Sequence, residues 1–316
     1  MGAVNSERIG GIDTFVLHKV QTAYTTSVTP DTLFGGLVKS ANFTTDRQYT
    51  EKSGFKGNQA EDGRVTAQQL AGTVVTGGTI EFDAQRWDWL EYLLLKDRSG
   101  SGTTESPYVY GVGNTAKYLT VSEEIENEAT DSHRVYGGMV INNASISCSV
   151  GEAVNVNLSL LGGRLSKTAV LGTKVAQYTD EVYNFSGGSI TFPDTTEFNN
   201  IIDSITIDVS NNYTVIYGFN EEAQNARAGK LNLNIKLTTK YLDDTNMEQF
   251  LGSATDISGQ TVVDLTIKFD KGTDKYIEFT FKDVVITKSD TQHTLNEFVV
   301  EDLEILPRNL EVKEVV

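Results

Sequence analysis

The sequence predicts a mainly β protein: two tandem antiparallel β-sandwich or barrel domains, each with one short flanking α-helix. Three observations predict it. Apolar residues alternate with polar ones along several short runs, turn-like segments separate these runs, and the order of elements in the first half of the chain returns in the second. Period-two alternation sends one set of side chains to each face of a sheet. Half-buried antiparallel strands read this way, whereas parallel strands covered on both faces are apolar throughout.

The elements follow in order. Residues 1–29 are an N-terminal arm. Its start, Met1-Gly-Ala-Val-Asn-Ser-Glu-Arg8, has no apolar run of signal-peptide length, and no stretch reaches the ~20 apolar residues of a membrane helix, so synthesis in the cytoplasm and no membrane partner are expected. The first domain spans residues 30–172. Within it a helix is expected over Asp83–Leu95, with Asp83 as N-cap and Trp87, Leu90 and Leu94 as a core-facing stripe. A Gly/Ser/Thr-rich insert, Asp97–Gly113, follows. Val154, Val156, Leu158 and Leu160, separated by polar residues, then mark a strand. The second domain, residues 173–306, has alternating runs at Leu231–Leu237, Val263–Phe269 and Ile277–Phe281. Its helix is expected over Asp243–Leu251, with acidic residues in the first turn and Gly252 at the C-terminal end. Gly77-Gly78, Gly162-Gly163 and Asp270-Lys-Gly-Thr273 are turn-like breaks. Residues 307–316 are a C-terminal tail.

The halves overlay at offsets of about 160–166. Pro30-Asp31-Thr32 recurs as Pro193-Asp194-Thr195. Ser40, Tyr49, Thr50, Gly54 and Phe55 then meet Ser204, Tyr213, Thr214, Gly218 and Phe219 without a gap. Gly63-Arg-Val65 meets Gly229-Lys-Leu231, Trp87 and Leu90 meet Met247 and Phe250, and Val140–Leu160 has its counterpart in Val284–Leu303. A shared order of proline turn, strand, polar loop, strand, helix and closing strand pair is the pattern of an internal duplication.

Charge and composition narrow the function. The 43 acidic and 26 basic residues give a net charge of −17, and such a surface does not grip nucleic acid through a basic footprint. The single cysteine, Cys148, rules out an internal disulfide framework and reads as a small buried hydrophobe. His18, His133 and His293 each lack a second histidine at metal-ligand spacing. Gly111-Val-Gly113 does not complete a dinucleotide fingerprint. Asp270 and Asp274 lack the terminal glutamate of a calcium loop and read as a hairpin turn. The acidic run Glu123-Glu124-Ile-Glu126-Asn-Glu128 reads as a solvated loop rather than a glycosidase pair. Sequons at Asn42, Asn143, Asn157, Asn184 and Asn212 follow from Asn/Ser/Thr-rich sheets. No catalytic residue, metal or cofactor is therefore assigned, and a non-enzyme is expected.

Val74-Val-Thr-Gly-Gly-Thr-Ile-Glu-Phe82 running into the Trp87/Trp89 segment, and Tyr136–Ser147 followed by Gly151-Glu-Ala-Val-Asn-Val-Asn-Leu-Ser159, carry a resemblance to the tail tube proteins of long-tailed viruses. The resemblance covers most of the chain as a pattern and implies tail-tube-type β-domains. Its common unit is about half this chain, and six units make each ring of a tube that passes DNA. Two units per chain would then give homotrimeric, pseudo-hexameric rings, a virion location in the tail, and tape measure, terminator and baseplate or tip proteins as partners. DNA would be a passenger without specific binding. The loops Thr50–Arg64 and Val215–Lys230, the arm and the tail become candidates for contacts between rings. Phe55, Lys56, Glu61, Phe219, Glu221, Arg227 and Phe15 are the candidate contact residues, with packing inside the subunit as the other reading. Thr44, Asp208, Asn155 and Asn157 are candidates for facing the lumen. The alternative function is a two-domain β-sandwich adhesin or carbohydrate-binding module, which would explain the sequons, and a β-rich hydrolase comes third.

Overall fold

The computed structural model describes residues 14–52, 68–125, 132–166, 179–192, 202–219, 221–240, 262–272, 274–292 and 299–316. The first half contributes β1 (Thr14–Val20), β2 (Thr32–Leu33), β3 (Gly36–Lys52), β4 (Gln68–Ala84), α1 (Leu90–Leu93), β5 (Tyr108–Gly111), β6 (Leu119–Ile125), β7 (Ser132–Ser149), β8 (Asn155–Gly162) and β9 (Arg164–Ser166). The second contributes β10 (Asn184–Thr191), β11 (Ile202–Ser210), β12 (Thr214–Tyr217), β13 (Ala223–Arg227), β14 (Asn232–Lys240), β15 (Val263–Asp270), β16 (Tyr276–Gln292), β17 (Val300–Leu306) and β18 (Asn309–Val315). The chain is mainly β and its described strand pairs are antiparallel, as the alternation requires.

One sheet of 16 strands runs through both halves. Its central stretch has the order β3-β4-β8-β7 from the first half and β11-β14-β17-β16 from the second, with β7 hydrogen-bonded directly to β11. The long strands β7 and β16 each serve two neighbourhoods. The first part of β7 pairs with β6 and β9, and its second part with β8 and β11. The first part of β16 pairs with β15 and β18, and its second part with β17. The β3–β4 register shifts between Val38 and Ser40, and the β11–β14 register between Ile202 and Ser204. The β7–β8 register shifts between Ile141 and Asn143, and the β16–β17 register between Ile286 and Lys288. Such bulges bend a strand and pin its pairing.

The apolar face of this stretch is continuous. Ile80, Leu158, Ala144, Val209 and Leu233 are successive cross-strand partners and all are buried. Trp87 packs edge-on against both Tyr183 and Phe279, so the first-half tryptophan is wedged among second-half rings. The backbone continues the seam, with Tyr183 N–H donating to Ala84 O and Val154 N–H to Tyr183 O, each at 2.8 Å.

Several sequence expectations are revised. Gly77-Gly78, expected as a break, is paired on both sides inside β4, and Glu123 and Glu124, expected in a solvated loop, lie in β6. The first helix is the single turn Leu90–Leu93, and Asp83 lies in β4 between Leu37 and Asn155 rather than at a cap. Ladder pairing on both sides outweighs the local capping pattern, and Leu95, in the left-handed region at φ 61°, ends the turn. Trp87, Leu90 and Leu94 are buried as expected. The C-terminal residues form β18 between β16 and β5, burying Leu310, Val312 and Val315. Val215–Lys230, expected as a loop, holds most of a hairpin, β12 (Thr214–Tyr217) against β13 (Ala223–Arg227). The second expected helix, Asp243–Leu251, lies outside the described residues.

Candidate functional site

Direct cross-strand partners share one face of an antiparallel sheet, so register alone identifies the side chains opposite the core. One row across the central stretch reads Ser40, Glu81, Asn157, Ser145, Asp208, Asn234. The next reads Asn42, Thr79, Ser159, Asn143, Ser210, Asn232, and a third Asp83, Asn155, Ser147, Thr206, Lys236, Glu304. All are partly or fully exposed. The structure thus brings the four lumen candidates together: Thr44, Asn155, Asn157 and Asp208 lie on one polar face that crosses from the first half to the second.

This face is knitted by its own side chains. Ser145 Oγ donates to Asp208 Oδ1 at 2.6 Å, and Ser210 Oγ to Asn143 Oδ1 at 2.6 Å. Asn155 Nδ2 and Ser40 Oγ both donate to Glu81, at 3.1 and 3.3 Å. Thr238 and Gln292 donate to Asp302 at 2.8 Å. Hydroxyl and amide donors are thereby spent on neighbouring acceptors. Two lysines here are paired with carboxylates: Lys240 Nζ lies 3.5 Å from Asp203 and Lys288 Nζ 3.4 Å from Asp290. Among the described residues, lysines paired in this way give phosphate little grip, and the carboxylates repel it.

The contact candidates divide. Phe219, at the tip of the β12–β13 hairpin, is fully exposed, with a relative exposure of 112%. Glu221 forms an ion pair with Arg47 and its backbone carbonyl accepts from Val74 N–H at 2.8 Å, while Tyr217 Oη donates to Val74 O at 3.0 Å. The hairpin therefore lies along β4 of its own chain and presents its tip outward. Arg227 is exposed opposite Thr214. Phe15 sits in β1 opposite Glu124. Phe55, Lys56 and Glu61 lie outside the described residues.

Sequence reasoning missed a buried polar clasp between the chain end and the first half. Glu314, 2% exposed, accepts from Tyr110 Oη at 2.5 Å and Tyr183 Oη at 3.3 Å, and Arg98 donates to Tyr110 at 3.2 Å. Burial pushes the Glu314 carboxyl above its ordinary range, against the pull of those bonds and of Arg98. The alternation in Asn309–Val315 was the available signal for it. His18, singled out in the arm, is packed rather than poised: it stacks on Phe34 at 4.2 Å and meets Tyr92 edge-on at 5.5 Å. Cys148 is buried, and burial raises its thiol to about 11, which suits packing and not reactivity.

The model of the phage tail tube protein family matches residues 11–300. The chain belongs to that family. A search of the curated proteins returns no match. Membership of the tail tube family makes the protein a structural component of a phage tail, one that assembles with copies of itself and with other tail proteins into a tube. The sheet has two faces: a buried one that fixes its shape and a wide polar one.

Proposed function

We propose that three copies of this chain close into one ring of six tube units, that rings stack into the tail tube, and that the polar face of the central sheet lines the channel through which DNA passes. The observation that carries this reading is the strand order. β3-β4-β8-β7 is followed edge to edge by β11-β14-β17-β16, with register shifts at corresponding places on the first and last strand of each set. A duplicated unit explains this recurrence, and it makes the β7–β11 junction a contact between two units. Cyclic closure repeats such a head-to-tail contact until the ring is complete and no sheet edge is left open.

The polar face supports a lumen role by its chemistry. A channel wall that bound phosphate would hold the genome, whereas paired donors and carboxylates let it pass. The hairpin tip at Phe219, the segment Thr50–Arg64, the arm and the other candidate residues Phe15, Phe55, Lys56, Glu61, Glu221 and Arg227 are then the contacts between stacked rings or neighbouring subunits. The tape measure, terminator and baseplate or tip proteins are the remaining partners.

Electron microscopy of the purified protein, with mass measurement of isolated rings, tests the reading. Hollow rings or tubes with three chains per ring are expected. Rings of six chains would overturn the stoichiometry, and a chain that stays monomeric on concentration and binds glycans would overturn the tube reading altogether.

A further inference from the structure

Two strand edges in the central sheet have no neighbour among the described residues. Among the described residues β3 pairs only with β4, and residues 287–292 of β16 pair only with β17. β3 is 17 residues long, and an open edge of that length is a template for another chain. The chain already contains one finished junction of this kind, β7 against β11.

We propose that β16 of one copy adds antiparallel to β3 of the next, in the register that β7 and β11 use within the chain, so that Asp290 faces Thr44 and Lys288 faces Asp46 of the neighbouring copy. This rests on the ring reading above and specifies its contact.

The register shifts supply the alignment. Matching the shift after Ile141 in β7 to that after Ile286 in β16 sets Asn143 with Lys288 and Ser145 with Asp290. Matching the shift after Val38 in β3 to that after Ile202 in β11 sets Thr44 with Asp208 and Asp46 with Ser210. The interior rungs agree independently: Ser40–Glu81–Asn157–Ser145 in the first half corresponds to Ser204–Thr238–Asp302–Asp290 in the second, each successive pair being direct cross-strand partners. Within the chain Ser145 lies opposite Asp208 and Asn143 opposite Ser210. Transferring those pairings gives Asp290 opposite Thr44 and Lys288 opposite Asp46.

The side chains are complementary in that register. In the internal junction a hydroxyl on β7 donates to a carboxylate on β11, Ser145 to Asp208 at 2.6 Å. In the junction between copies the carboxylate is on β16 and the hydroxyl on β3, so Thr44 donates to Asp290. The Ser210–Asn143 hydrogen bond is replaced by an ammonium–carboxylate pair. Thr44, Asp46, Lys288 and Asp290 are all exposed in the single chain, where a neighbour can reach them. A two-residue slip one way sets Asp290 against Asp46, and the other way removes the ion pair, so the charges select one register.

The test is a pair of cysteines in the assembled protein. Directly opposite residues in antiparallel strands have Cα atoms about 4.5–5.5 Å apart, within disulfide reach, whereas diagonal ones lie about 7–8 Å apart. Oxidised rings of Thr44→Cys/Asp290→Cys should give covalent trimers in denaturing electrophoresis, at least about tenfold more than Asn42→Cys/Asp290→Cys, by that difference in reach. Buried Cys148 leaves the background low. In parallel, Lys288→Glu should raise the concentration for half-assembly and Asp46→Lys/Lys288→Glu should restore it. Three-chain rings that fail to cross-link at 44/290, or that cross-link better at 42/290, overturn the junction and leave the ring reading standing. Absence of rings from the unsubstituted protein overturns both.

Discussion

The packed state of His18 makes a sharp prediction about acid stability. The imidazole is 1% exposed between Phe34 and Tyr92, and burial holds its pKa below the ordinary value of 6.5 even though the Asp88 and Asp31 carboxylates and the Thr32 backbone favour the cation. The folded chain therefore binds this proton less readily than the unfolded chain. Between 6.5 and the lower folded value the unfolded state carries more protons, so stability rises with pH in that window and is lost as pH falls through it. The slope from one such group approaches about 1.4 kcal/mol per pH unit. His18→Phe keeps a ring of similar size stacked on Phe34 and removes the titration. Guanidinium unfolding of unassembled protein, followed through the fluorescence of buried Trp87 and Trp89, should give nearly equal stabilities for the two proteins at pH 7.5. The variant should then gain on the parent at close to that slope as the pH falls below 6.5. Because His133 and His293 remain in both proteins, only the difference reports on His18. Parallel pH dependences from 7.5 to 5.5 would refute the reasoning.

Further outcomes follow from the same geometry. Glu314→Ala leaves the Tyr110 and Tyr183 hydroxyls buried without their acceptor, at about 1–3 kcal/mol each, whereas Glu314→Gln keeps an acceptor and should cost less. Since the folded Glu314 carboxyl lies above its unfolded 4.5, its contribution falls as pH rises from there, and the Gln variant should lose that dependence; equal cost for Ala and Gln in denaturation would refute the clasp. Ile207→Ala, fully buried in β11, should cost about 2–5 kcal/mol, while its neighbour Asp208→Asn on the polar face should cost under about 1. Phe219→Ser should leave the melting of the single chain unchanged and impair ring stacking, as should deletion of residues 52–62; normal tube lengths in microscopy would remove both from the inter-ring contacts.

Much of the fold was legible because alternation has a single physical cause. Val154–Leu160 and Leu231–Leu237 bury the residues that their period demands, and Ile277, Phe279 and Phe281 do the same. The polar face was legible in parts, since Asn155 and Asn157 read as outward residues of one strand and Asp208 of another. That they and Thr44 share one surface depends on β7 pairing with β11, a long-range choice that no local pattern encodes. The first helix was overdrawn because Asp83 looks like a cap in isolation, while its ladder partners Leu37 and Asn155 lie far off in sequence. The β12–β13 hairpin was hidden for the same reason. Its strands alternate weakly, and its anchors on Val74, Arg47 and Gly163 belong to the other half.

In the proposed ring, with two different units per chain, a problem arises that six identical units do not have: the ring contains two kinds of junction, and they must not exchange. The proposed contacts meet this through charge. Within the chain the β7 edge offers Ser145 to Asp208, and between copies the β16 edge offers Asp290 to Thr44. If β16 of one copy invaded the β11 edge of another, Asp290 would stand opposite Asp208, two carboxylates at cross-strand distance, and Lys288 would face the hydroxyl of Ser210 in place of Asp46. The displaced β7 edge would then meet β3 with Ser145 against Thr44, hydroxyl to hydroxyl, and the charge-assisted bonds of both correct junctions would be gone. Exchange thus loses three hydrogen bonds and an ion pair and gains a repulsion, which is specificity by a penalty on the wrong partner as well as a reward for the right one. In this arrangement part of the acidity of the chain has a second role, because the same carboxylates that deny phosphate a grip on the polar face also keep the two junctions in alternation around the ring.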